Sequence, residues 1–124
     1  MSLHLPFFSV LVRPSRYTYK LIEETGEFTI NIVPPQLKEV VQYCGTVSGR
    51  DHKKFKEKQL TAIPSLKVKV PIIKECTLHF ECQIVHKNDL IPSEIAKPIL
   101  TKFYKKDDFH RIYFGEIVAF QCEI

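Results

Sequence analysis

Residues 76–86, CTLHFECQIVH, decide the fold. Cys76, Leu78, Phe80, Cys82 and Ile84 alternate with Thr77, His79, Glu81 and Gln83, a period of two that predicts a half-buried β-strand with its polar set facing water. Upstream, residues 27–33 (EFTINIV) repeat the pattern, with Phe28, Ile30 and Ile32 against Glu27, Thr29 and Asn31, and Pro34-Pro35 stops the run. Residues 7–12 (FFSVLV) are apolar apart from Ser9 and read as a strand buried on both faces. Downstream, residues 109–123 read as a long final strand, and Gly115 within it marks a bulge or a close approach.

Between these strands the period changes. Ser15 offers an N-cap to a helix that turns Tyr17, Leu21 and Ile22 inward, and Gly26 closes it. Residues 36–44 place Leu37, Val40, Val41 and Cys44 on one helical stripe, with Gly45 after it. Residues 46–60 predict a turn and a short charged helix. Residues 68–73 are extended but interrupted by Pro71, and residues 92–104 form a helical insertion weakened by Pro98. Short helices hung on alternating strands predict an α+β chain built on an antiparallel sheet or small barrel.

The 124 residues suit one domain, spanning 1–124, and 44% hydrophobic with 26% charged residues is an ordinary globular balance. No apolar run reaches the roughly 18 residues of a membrane span. The opening residues lack a basic stretch followed by a long apolar core, so the expected setting is the cytoplasm. Eighteen basic against 14 acidic residues give a net charge of +4. That excess is spread along the chain with no stacking platform, which argues for a solvated face and against nucleic acid. Cys44, Cys76, Cys82 and Cys122 form no CxxC or zinc spacing; Cys76 and Cys82 lie about 20 Å apart on one strand face, so free thiols are expected.

Three segments could carry chemistry. In Arg13-Pro14-Ser15-Arg16-Tyr17-Thr18 a strand ends and a helix begins, with two hydroxyls and two guanidinium groups at a helix start that favours anions. The simpler reading is a Ser15 cap with surface arginines. In Ser48-Gly49-Arg50-Asp51-His52-Lys53-Lys54-Phe55 a glycine turn meets basic side chains without P-loop spacing; its simpler reading is an Asp51 cap with Phe55 filling the core. His110 stands at a strand start near Gly115, either approaching a ligand or merely hydrogen-bonded. No hydrolase triad, paired carboxylates or metal set appears, since His79 and Glu81 alone make a poor metal site.

Taken in order, RPSRYTYKLIEETGEFTINIVP (13–34), VQYCGTVSGRDHKKF (41–55), LHFECQIV (78–85) and FHRIYFGEIV (109–118) resemble the flavin reductase-like, FMN-binding split-barrel family that includes flavoredoxins. The resemblance implies a mainly β fold with short helices, an antiparallel split β-barrel. It also implies a homodimer that binds FMN, or FAD in its place, near the subunit interface and passes electrons from NAD(P)H through the flavin to an acceptor. By motif match, Ser15 and Thr18 sit at the phosphate and ribityl end, with Arg13 and Arg16 nearby. Lys54 or its neighbour Lys53 supplies positive charge, Ser48, Gly49 and Arg50 shape the loop, and His110 lines the ring. Cys44 matches a family position and reads as packing.

The family pattern also implies about forty further residues before Phe8, including a strand pair and a "DPP" turn that hold the flavin, and a tail after Glu123. The chain thus resembles the middle and later part of a family domain. That leaves a rival: a truncated relative acting as a non-catalytic flavin-binding or flavin-free dimer.

Overall fold

A computed structural model describes residues 6–46, 48–49 and 53–122. Four strands form one antiparallel sheet: β1 (Phe7–Val12), β2 (Glu27–Ile32), β5 (Leu78–Asp89) and β6 (Arg111–Cys122), in the order β1-β6-β5-β2. A two-stranded ribbon, β3 (Ala62–Ile63) with β4 (Ile72–Ile73), stands beside it. Among the described residues the α-helices are α1 (Tyr17–Thr25), α2 (Lys38–Thr46), α3 (Lys54–Glu57) and α4 (Lys97–Phe103).

The main core lies where α1 meets the sheet. Ile22, Phe28, Cys82 and Tyr113 are buried together, with Phe8, Val10, Val12, Ile30 and Ile84 packed around them. Gly26 ends α1 in the left-handed region at φ 68°, and its N–H donates to the Ile22 carbonyl at 2.9 Å. Phe28 fixes the role of Gly115. A Cβ at 115 would stand 2.4 Å from Phe28 Cζ and 2.9 Å from Cys82 Cβ, so the ring of β2 reaches across β5 onto bare β6 backbone. The irregularity beside Gly115 is on the partner strand, where the β5–β6 register shifts between Ile84 and His86; a second shift, between Glu81 and Cys82, skips Val118 of β6.

Several expectations need correction. β1 is not buried on both faces: Phe7, Ser9 and Leu11 are exposed while Phe8, Val10 and Val12 turn inward. Pro98 does not weaken the insertion, because it occupies the first turn of α4, where a proline has no hydrogen bond to lose. Gly45 lies inside α2 rather than after it, and α2 buries no side chain.

The largest departure concerns the polar sets of β2 and β5. Residues 65–73 lie over them and satisfy their backbone on those side chains. Buried Glu81 accepts the N–H groups of Leu66, Lys67 and Val68 at 2.8, 2.6 and 3.3 Å, and Gln121 as well. Asn31 accepts Ile73 N–H at 3.0 Å and contacts His79 Nδ1 at 2.9 Å; Glu27 accepts Lys69 N–H and Thr29 donates to the Pro71 carbonyl. Burial would raise the Glu81 carboxyl, yet these donors outweigh it and hold the group below the usual range. Two members of a face written in polar residues, His79 and Glu81, are therefore buried, while Thr77 and Gln83 stay exposed.

At the far end of β5 and β6, Arg111 makes a two-pronged contact with Asp89 at 2.7 and 3.1 Å and reaches Glu23 at 2.6 Å. Glu23 also accepts Lys87 Nζ and the Tyr113 hydroxyl, which together hold its carboxyl down to about 2. The four cysteines are free thiols.

Candidate functional site

The end of β1, the start of α1, the end of α2 with residues 48–49, and α3 converge on an open cleft of about 690 Å³. That lies within the roughly 300–1,000 Å³ of small-molecule sites. Leu11, Val12, Leu21, Tyr17 and Phe55 supply apolar walls, and Arg13, Arg16, Thr18, Ser48, Lys54 and His110 supply polar ones. The mix matches a ligand with a flat apolar part and an anionic part.

Each polar group is placed by a nameable device. β1 ends at Val12, two residues before Pro14, and α1 begins at Tyr17, after an extended Arg16 N-cap without a side-chain cap. Thr18 therefore falls in the first turn, facing the cleft. Lys54 Nζ donates to the Cys44 carbonyl at 2.7 Å, tying α3 to the end of α2 while its amine stays in the cleft wall. Gly49 lies against the Tyr17 ring, where a Cβ would sit 2.9 Å from Cδ2, so the loop can close onto α1 only without a side chain.

Arg13, Arg16, Thr18, Ser48, Gly49, Lys54 and His110 of the expected residues line the cleft. Ser15 and Lys53 do not. Instead of capping α1, Ser15 directs its N–H to Asp108 Oδ1 at 3.1 Å and its hydroxyl to Asp108 Oδ2. The expected Ser15 cap is thus not formed, because its donors go to a carboxylate 93 residues away. Arg50 and the expected Asp51 cap lie outside the described residues. Phe55 is 39% exposed in the cleft wall rather than filling the core, and Cys44, read as packing, is a half-buried member of the same wall.

What the sequence did not reveal is a strap formed by residues 103–110. Arg13 donates Nη2 to the Phe103 carbonyl at 2.9 Å and Nη1 to that of Asp108 at 3.5 Å, and its guanidinium lies 4.9 Å over the Tyr104 ring. The Tyr104 hydroxyl meets His110 Nδ1 at 2.5 Å. Burial first and the Arg13 cation second push the His110 imidazolium below its usual range, with Asp108 opposing. No local spacing in KFYKKDDFH advertises these contacts, which depend on the strap folding back on β1.

Residues 1–123 match the family model described as flavin reductase like domain. The chain belongs to the flavin reductase-like family. An uncharacterized protein of Archaeoglobus fulgidus is 43% identical over 76 residues, covering 61% of this chain and 43% of its own length. The flavoredoxin of Methanosarcina acetivorans superposes with a TM-score of 0.75 at 27% identity, covering 99% of this chain and 56% of its own. The flavoredoxin of Desulfovibrio vulgaris (Miyazaki F) gives 0.74 at 25%, covering 95% and 54%. The chain spans about half the length of these relatives. Its curled antiparallel sheet with short helices is the family's split-barrel fold. Among the described residues, no helix is long and apolar enough to cross a membrane.

Proposed function

We propose that this chain holds FMN in the cleft and serves as a flavin reductase-like oxidoreductase that passes electrons from NAD(P)H to an acceptor. One observation carries the reading: a single cleft brings together two guanidinium groups, the hydroxyls of Thr18 and Ser48, an ammonium group and an imidazole against apolar walls. Arg13 and Arg16 are the donors for the phosphate, which guanidinium matches in a two-pronged fashion. Thr18 and Ser48 offer hydroxyls to the phosphate or ribityl chain, while Tyr17, Leu21 and Phe55 provide apolar surface for the ring.

Bound flavin supplies the hydride chemistry, and the protein supplies position and electrostatics. Lys54 and Arg13 place positive charge beside the cleft, which favours an occupant that gains negative charge on reduction. The cleft's opening admits a nicotinamide from solvent, consistent with a sequence that has no GxGxxG fingerprint. Exposed Phe7 and Leu11, on the outward face of β1, support pairing into a homodimer. The same reading places the protein in the cytoplasm.

A second reading has its own observation: the strap already engages Arg13 and Ser15, two of the phosphate-end donors. On that reading the chain is a flavin-free or non-catalytic relative. NAD(P)H oxidation measured with and without added FMN separates the two. Oxidation that depends on FMN and saturates at micromolar FMN supports the reductase. Oxidation that is absent at every FMN concentration, or equally fast without FMN, overturns it.

A further inference from the structure

We propose that Tyr104 is the positioning residue of the cleft: its hydroxyl fixes His110 in the tautomer with the proton on Nε2, so that the ring offers the cleft a neutral hydrogen-bond donor. The role this gives His110 toward FMN rests on the flavin reading above; the tautomer itself does not.

A neutral imidazole has one N–H donor and one bare acceptor nitrogen, and the partner of one decides the other. His110 Nδ1 is 2.5 Å from the Tyr104 oxygen. A phenol donates better than it accepts, because its oxygen lone pairs are shared with the ring. Arg13 sharpens this preference: its guanidinium lies 4.9 Å over the same ring, and a cation there makes the hydroxyl a stronger donor. With Nδ1 accepting, the proton resides on Nε2, the other ring nitrogen of a residue that lines the cleft.

The ring is also held in place. Tyr104 meets His110 edge-on at 5.6 Å between centroids and stacks on Phe109 at 5.0 Å. The charged groups facing His110 are Arg13 from the end of β1 and Asp108 from the strap; burial first and Arg13 second favour the uncharged imidazole, with Asp108 opposing. Tyr104 therefore serves two cleft groups at once, orienting His110 through its hydroxyl and supporting Arg13 through its face. Positive charge at this end of the cleft belongs to Arg13, and His110 contributes only a donor.

Tyr104→Phe separates the two services. It keeps the ring and its support of Arg13, and removes only the hydroxyl. Histidine ring ¹⁵N chemical shifts, recorded without flavin at pH 7.5, report the tautomer directly; a thermal melt checks folding, and Tyr104→Leu provides a variant lacking both services. The wild type should show a protonated Nε2 and a bare Nδ1. Tyr104→Phe should show mixed tautomers and a higher His110 midpoint, with FMN binding weakened about fivefold, the worth of one ordinary hydrogen bond. Mixed tautomers or a protonated Nδ1 in the wild type would overturn the proposal, as would an unchanged His110 spectrum in a folded Tyr104→Phe. If the tautomer behaves as stated but neither protein binds FMN, the positioning role stands and the flavin reading fails.

Discussion

Replacing Gly115 by alanine adds one methyl group where the fold has no space for it. The new Cβ would meet Phe28 at 2.4 and 2.6 Å and Cys82 Cβ at 2.9 Å. Real Cβ contacts essentially never fall below 3.0 Å, so something must move. Phe28 is 6% exposed and Cys82 fully buried, and β2 is locked to β5 through both residues' backbones, so neither can step aside locally. Overpacking of this kind costs about 1–3 kcal/mol, and two rigid neighbours place Gly115→Ala near 3 kcal/mol. For a chain of 124 residues that lowers Tm by about 9–15 °C. Thermal and urea unfolding followed by circular dichroism, at one fixed protein concentration, measure it. Phe28→Leu removes the clashing ring, so the double variant should lose less than the sum of the singles, a coupling of about 1 kcal/mol or more. A Gly115→Ala protein within about 0.5 kcal/mol of wild type, or strict additivity with Phe28→Leu, would refute the close approach of Phe28 to β6.

Other outcomes follow from the same geometry. Glu23 is held down to about 2 by Lys87, Tyr113 and Arg111. A lowered folded-state value means its stabilisation is complete above the ordinary carboxylate value of 4.5 and lost as pH falls toward 2; Glu23→Gln should lower stability at pH 7 and flatten the acid limb of a urea-midpoint-against-pH curve. Glu81→Gln swaps one acceptor oxygen for a donor facing backbone N–H groups, and should cost about 2–4 kcal/mol by urea unfolding. Lys54→Met removes a cleft ammonium and its bond to Cys44, and should weaken FMN binding about tenfold by flavin fluorescence, the scale of one charged hydrogen bond.

Much of the sheet was legible because its apolar side chains recur with period two and its glycines are forced. Phe28, Cys82 and Ile84 could be placed inside by alternation alone, and Gly26 and Gly115 announced a left-handed cap and a close approach. The polar set of β2 and β5 misled because a backbone N–H group seeks an acceptor as strongly as a core seeks methyl groups. Glu81 and His79 are buried and Asn31 half-buried because residues 65–73 lie on them, and no pattern within β5 encodes that cover.

The cleft divides in the same way. Arg13, Thr18, Lys54 and His110 could be proposed from short segments, since each lies at the end of an element or in its first turn. Their actual partners are remote in sequence: Ser15 pairs with Asp108 and Arg13 with Phe103 and Tyr104, across some 90 residues. Local propensity assigned Ser15 to capping because it could weigh only neighbours. The strap's carboxylate won that site because two donors, an N–H and a hydroxyl, point at it together.

The account turns on whether this cleft retains a flavin, and the visible spectrum tests that most directly. The purified protein is mixed with excess FMN, passed through gel filtration, and its absorbance read across the protein peak. The account predicts flavin bands co-eluting with the protein at about one FMN per chain, and their loss in an Arg13→Ala, Arg16→Ala double variant that still melts cooperatively. A colourless wild-type peak at micromolar FMN, or equal retention by the double variant, would contradict it.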